Sequence, residues 1–153
     1  MLALLSFTRE DELYLDKLRI WDFYLTFPNE VRDISFPKDL RPLKEKIFKD
    51  RSNPYEDLSD PKRIFERMRT YQLSAIKCLA VYGFVDSNLL SRNKIKKTNK
   101  EIPKELQDYI NNLPHEKVNV IKLVTSDFVN LPLFGDKGLK ARTGLIEFKY
   151  DPR

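Results

Sequence analysis

Residues 79–100, LAVYGFVDSNLLSRNKIKKTNK, decide how the rest of the chain is read. An apolar helix end, Leu79-Ala80-Val81, runs into Gly83, the residue type that closes a helix in the left-handed conformation. Phe84-Val85 then turns extended. Leu89, Leu90 and Ile95 flank Ser91-Arg92-Asn93-Lys94, which reads as a short β-hairpin, although no Asn-Gly pair fixes its turn. A burst of positive charge follows. Two structures fit such a passage: the recognition helix and wing of a nucleic-acid reader, or a helix-to-strand corner with a solvated loop behind it.

The charge is local. The 153 residues include 28 basic and 23 acidic side chains, a net +5. Arg92, Lys94, Lys96, Lys97, Lys100 and Lys104 stand against one acid, Glu101, so this segment alone accounts for the surplus. Charge gathered in this way contacts phosphates, with affinity falling steeply with salt, or meets an acidic protein partner. The plain alternative is a solvated loop. No aromatic lies between Phe84 and Tyr109, so stacking of single-stranded bases is not supported. Lys137, Lys140 and Arg142 extend the candidate basic surface.

Working outward toward the N-terminus, Asp60-Pro61 is an N-cap followed by proline at the first helical position. An apolar stripe from Ile64 to Ala80 makes this a long helix. Lys62, Arg63, Arg67 and Arg69 lie on it. In a helix-turn-helix reader, side chains near its start would enter a major groove. Asn and Gln, which read adenine, are missing there. Ordinary pairing with Glu66 or with the acidic loop before the helix is the other reading. That loop runs from Asp50 to Ser59, after a short amphipathic helix from Asp39 to about Lys49 with Leu40, Leu43 and Ile47 on one side. Ser35-Phe36-Pro37 reads as extended, since a residue before proline avoids the helical region. Thr8 reads as the N-cap of a first helix that reaches Phe27 and is apolar on more than one face. Its aromatics Trp21, Phe23, Tyr24 and Phe27 are candidate anchors for a partner interface, with the domain's own core as the alternative.

Beyond residue 100, Pro103 begins a helix with Leu106, Tyr109 or Ile110, and Leu113 inward, and Pro114 stops it. Val118 to Val124 is β-branched and reads as a buried strand. GDKGLKARTG, residues 135–144, reads as a hairpin leading into a last alternating strand, Leu145 to Tyr150. The expected fold is α+β and mainly α: a winged-helix-like helical core with small β-hairpin and strand elements. It forms one domain, with core and wing in 1–100 and a helix plus C-terminal strands packed on it in 101–153.

Signals for chemistry are sparse. Cys78 is the only cysteine, which excludes an internal disulfide and fits a reducing cytoplasm. It lies in the apolar run of the long helix and reads as buried. His115 is the only histidine and reads as a surface turn residue; one Cys and one His cannot build a structural zinc site. GDKGLKARTG lacks the Gly-Lys-Ser/Thr of a phosphate loop, and a lone GxxG is a weak sign of a KH clamp. The acid pairs Asp11/Glu12 and Glu56/Asp57 sit in helix-start and loop contexts. No apolar run reaches the roughly 18 residues that suggest a membrane span, and the start of the chain does not read as a signal peptide. The expectation is a protein with no catalytic residues, metal, cofactor, small-molecule substrate or membrane association.

The strings LYLDKLRIWDFYLTFPNEVRDI (13–34), RIFERMRTYQLSAIKCLAVYGFVDSN (63–88) and LPLFGDKGLKARTGLIEF (131–148) resemble the middle component of three-component ABC ATPase systems. These are bacterial defence operons in which a small protein is encoded between an effector and an ABC or SMC-like ATPase. The resemblance spans most of the chain. It rests on hydrophobic rhythm and on pieces such as LRIWDF (18–23) and LAVYGFVD (79–86), with no catalytic motif. It implies a non-enzymatic, winged-helix-like adaptor in anti-phage defence. Such an adaptor docks on the ATPase and couples nucleic-acid sensing to an effector. Its partners are the SMC/ABC-like ATPase and the effector, with double-stranded DNA a further candidate. A free-standing winged-helix DNA-binding transcription regulator is the alternative; it needs paired half-sites and base-reading side chains.

Overall fold

Thr8 does not open a helix; it ends one. In the computed structural model, which describes residues 1–48 and 57–147, Leu2–Phe7 forms α1, and the N–H of its C-cap Thr8 donates to Leu4 O. A two-residue strand, β1 (Leu13–Tyr14), intervenes before α2 (Leu15–Thr26). The cause is a contact between residues far apart in the chain, which local propensity cannot encode. β1 pairs antiparallel with β2 (Lys94–Ile95), Leu13 opposite Ile95 and Tyr14 opposite Lys94.

The hairpin expected around 89–95 is replaced by a turn of helix, α5 (Ser87–Leu90). Asp86 caps it, its carboxylate accepting from Asn88 N at 2.8 Å. A short polar side chain that captures a nearby backbone N–H favours a helical start over a hairpin whose turn has no Asn-Gly. Asn93, at φ 55, then turns the chain into β2. The other edge of the β2 segment is met by one bridge, Val85 to Lys97, with Asp86 N donating to Lys96 O and Thr98 N to Phe84 O.

The helix before this corner, α4 (Pro61–Val81), starts and stops where its punctuation says. The Asp60 carboxylate accepts from Arg63 N at 3.0 Å, and Gly83 takes φ 76. Its packing is thinner than its stripe implies. Only Phe65, Gln72 and Ile76 are buried, so Cys78, expected inside, is exposed. Two 3-10 turns, Pro28–Asp33 and Lys38–Leu40, lead into α3 (Arg41–Ile47), with Ser35 to Pro37 extended between them. Leu40, Leu43 and Ile47 are half-buried against the core, as their spacing predicts. The end of that helix at Lys49 and most of the 50–59 loop lie outside the described residues.

α6 (Lys104–Asn111) follows Pro103 and buries Ile110, while Leu106 and Tyr109 stay exposed. The strand expected over 118–124 is a correction. These residues form α7 (His115–Lys122) and a wide five-residue turn, Leu123–Asp127, closed by Phe128 N donating to Leu123 O at 2.7 Å. Val120, Ile121, Val124 and Phe128 recur at helical spacing and all face inward. Burial on one helix face outweighs the modest β preference of valine and isoleucine. The tail is also helical: α8 (Leu139–Thr143) replaces the hairpin and ends at Gly144, φ 66. Leu145 to Glu147 form no strand, and residues 148–150 of the expected strand lie outside the described residues.

α2 is the centre of the core. It packs against α1, α4 and α7, which is why it is apolar on more than one face. Trp21 and Phe23 are fully buried, Tyr24 almost so, and Phe27 half-buried against the cluster. The Phe23 ring meets those of Tyr24, Phe27 and Phe65 at 5.2, 5.3 and 5.8 Å. These four aromatics therefore fill this chain's own core, and their assignment to a partner interface is corrected.

Glu30 makes the body pH-sensitive. It is buried, its Oε1 accepting from Leu58 N at 3.0 Å. Burial, reinforced by Asp33 and Asp57, holds its carboxyl above the usual carboxylate range against the opposing pull of the Leu58 N–H and Arg32. A carboxyl raised by folding contributes stability that is present below its unfolded pKa and lost as pH rises through the folded one. Glu30→Gln keeps the acceptor oxygen and removes the charge. It is expected to raise the thermal midpoint at pH 7 and to leave it unchanged near pH 4, checked by thermal unfolding across that range.

Candidate interaction surface

The corner at 92–104 shows where its positive charge goes. The turn into β1 lays Asp11 and Glu12 beside β2. Lys94 Nζ is 2.9 Å from Glu12 and 3.7 Å from the centroid of the Tyr14 ring that it faces across the ladder. Lys96 Nζ is 2.8 Å from Asp11. Hydrogen bonds to these carboxylates hold both ammonium pKa values above the ordinary lysine range. Lys97 donates to Thr8 O at 3.1 Å and Lys100 to Tyr82 O at 2.6 Å. The six basic side chains are thus not one free cationic surface: four of them have partners within the chain. Arg92 and Lys104 are exposed and have no side-chain partner among the described residues.

Near the C-terminal end the basic residues act partly as struts. Lys140 is buried, its Nζ 4.8 Å from the Phe134 ring centroid. Arg142 donates from Nε to Lys137 O at 2.6 Å and from Nη1 to Ser35 O at 2.8 Å. Lys137 itself is exposed. Of the three, only Lys137 is presented outward.

α4 presents the cations that the corner does not. Lys62, Arg63, Arg67 and Arg69 are exposed, as is Lys77 further along. Among the described residues none of the five makes a side-chain hydrogen bond or an ion pair. Among the described residues, the alternative pairing of Arg67 with Glu66 or with the acids just before the helix is not formed. The prominence of this face was hidden in the charge tally. A sum near zero outside 92–104 combines the five basic residues and one acid of α4 with acids placed elsewhere. Counting by element instead of by chain would have found it.

His115 is exposed at the first position of α7. No three His, Cys, Asp or Glu side chains among the described residues come together to hold a metal ion, and no helix among them is long and apolar enough to cross a membrane.

Fold and surface together define a small, mainly helical protein whose longest helix turns a basic face outward. The chain belongs to the family described as ABC-three component (ABC-3C) system Middle Component 5, whose model matches residues 1–151. That membership makes it one component of a multi-protein system. No curated protein and no solved structure matches the chain.

Proposed function

We propose that the protein is a non-catalytic adaptor that docks on the SMC/ABC-like ATPase of its three-component system and couples nucleic-acid sensing to an effector in anti-phage defence. The observation that carries this reading is α4: a 21-residue helix that buries only three side chains fully and, among the described residues, leaves five cations without partners. Surface of that kind is made to meet another molecule. Co-expression with the other two components tests it. The expected result is one stable complex that contains this chain, and loss of coupling between ATPase and effector when the chain is omitted. ATPase and effector that couple equally well without it would end the adaptor reading.

A second reading, a winged-helix DNA-binding regulator, is favoured by the order α1, β1, α2, α3, α4, Val85, α5, β2, which follows the course of a winged helix with α5 inserted ahead of the last strand. It calls for a dimer in solution and one preferred duplex sequence. Nucleic-acid contact in either reading falls first to Arg92 and Lys104, the corner's unpartnered cations. Arg92→Gln with Lys104→Gln is expected to weaken duplex binding and flatten its log–log salt slope by about 2, at roughly 0.9 per phosphate contact. Lys94→Gln with Lys96→Gln is expected to leave that slope unchanged, because those charges are already spent on Glu12 and Asp11. Titrations between low and moderate salt distinguish the two pairs.

A further inference from the structure

α4 has an apolar face beside its buried one. Tyr71, Ala75, Cys78 and Tyr82 follow one another at spacings of four, three and four, which sets them in one row along a helix. All four line an open groove of about 510 Å³, with Leu2 of α1 and Leu106 of α6 also lining it. Tyr71 is 79% exposed, Tyr82 65% and Leu106 44%. Aromatic side chains bury about 150–250 Å² each when covered. The row with Leu106 therefore presents on the order of 400 Å² of apolar surface, within the size range where patches on soluble chains are often functional. One and two turns before Tyr71 stand Arg67 and Arg63, exposed and without an ion pair among the described residues.

We infer that this groove receives an amphipathic helix from a partner protein of the same system. Its apolar side chains, spaced at i, i+3 and i+4, lie against Tyr71, Cys78 and Tyr82, and carboxylates at one end meet Arg63 and Arg67. The inference rests on the adaptor reading and names the contact that reading requires. From Arg63 to Tyr82 the rise along α4 is about 28 Å, which a partner helix of about five turns matches.

Charge and polarity select this occupant over two others. Protein–DNA interfaces are polar and strongly positive, whereas the row from Tyr71 to Tyr82 is apolar and the charges that line the groove, Asp22 and the Met1 ammonium, pair with each other at 3.0 Å. A second copy would bring α4 against α4. The only acid on that helix is Glu66, set against five basic residues, so a symmetric pair offers Arg63 and Arg67 no adequate counter-charge. An acidic, amphipathic helix satisfies both halves of the surface.

The test uses the full chain co-expressed with the other two components. A photo-reactive benzoylphenylalanine is placed at Tyr71 or Tyr82, with the same residue at Lys46 on α3 as control. Expected crosslinks from Tyr71 and Tyr82, absent from Lys46, map to a segment of one other component that has helical apolar spacing and carboxylates at one end. Tyr71→Glu with Tyr82→Glu is expected to weaken the complex at least 100-fold with an unchanged thermal midpoint, because both side chains are exposed. Arg63→Glu with Arg67→Glu is expected to weaken it about 10-fold, with restoration by charge reversal of the crosslinked acids. Crosslinks to a second copy or to DNA overturn the inference. So does a complex that forms normally with the glutamate variants, which leaves the adaptor reading standing. Absence of any complex with the wild-type chain removes both.

Discussion

Gln72→Leu is expected to cost about 3 kcal/mol of folding stability, although leucine has a similar volume and the site is apolar on most sides. Gln72 is buried in the middle of α4. Its Oε1 accepts from Arg19 Nε at 3.0 Å, and its Nε2 donates to Arg19 O at 3.1 Å and to Asp22 Oδ2 at 3.1 Å. Arg19 is itself buried, its guanidinium 4.6 Å from the Phe65 ring centroid, with Nη1 on Asp16 at 2.9 Å and Nη2 already without a partner. Leucine would leave a second guanidinium donor unsatisfied in the same place. Removing one partner of a buried charge is expensive because the other stays behind, desolvated. For a chain of this size the midpoint should fall by roughly 6–12 °C, at about 2–4 °C per kcal/mol.

The same reasoning predicts a rescue. Arg19→Met removes the charge, extends an unbranched apolar chain as far as the Nε position and allows a sulfur–aromatic contact with Phe65. Gln72→Leu with Arg19→Met should therefore be more stable than Gln72→Leu alone by at least 1 kcal/mol, read from denaturant unfolding of the four proteins in the cycle. Were Gln72→Leu within 0.5 kcal/mol of wild type, the polar network would be incidental. α4 would then be held by its apolar contacts, with Phe65 and Ile76 at their centre. The outcome bears on function, because this network sets how α4 lies on α2 and so where its exposed row and its arginines point.

What could be read from the chain follows how far each interaction reaches. Asp60-Pro61 and Gly83 act within a turn of themselves, so the bounds of α4 were legible. Leu40, Leu43 and Ile47 place α3 by periodicity alone. β1 was not legible, since Leu13 and Tyr14 are extended only because Lys94 and Ile95 come to them. The ion pairs of the corner were hidden for the same reason: the lysines are visible in a tally of charge, but Asp11 and Glu12 reach them only through the β1–β2 ladder. Val118 to Val124 misled because β-branched residues name a preference, and the inward set Val120, Ile121, Val124 had to be weighed against it. The aromatics of α2 were read as candidate anchors for a partner, but Trp21, Phe23 and Tyr24 are buried in this chain's own core. α2 is apolar on more than one face because it is enclosed, and it buries Lys17 and Arg19 as well. α4 carries a second apolar row, 71/75/78/82, beside the buried one, and that excess over what one buried stripe needs was the signal.

Gly138→Ala is expected to be the most damaging single-methyl change in the described chain, costing about 3–4 kcal/mol and lowering the midpoint by roughly 8–12 °C. The backbone conformation is not the reason, since Gly138 sits at φ −77 and ψ 170, extended geometry open to any residue. Space is. A Cβ there would meet Phe134 O, lie 2.6 Å from Phe134 C and 2.8 Å from Leu133 O. All three are backbone atoms that no rotamer change can move. The turn is pinned on both sides, by Gly138 N donating to Gly135 O at 2.9 Å and Leu139 N to Pro132 O at 2.8 Å. Relief requires opening it, which unseats buried Leu133 and Leu139 and slackens the Arg142 strut to Ser35. Gly144→Ala makes the contrast: nothing lies within 4 Å of its Cβ, but φ is +66, so the cost there is left-handed strain of about 1–2 kcal/mol. Thermal unfolding of the two variants side by side separates the mechanisms. Equal losses would mean that the 135–138 turn yields easily. The expected order, Gly138→Ala well below Gly144→Ala, identifies Gly138 as the close-packing point that seats α8, whereas Gly135, at φ +82 with nothing within 4 Å, serves the turn by its backbone conformation.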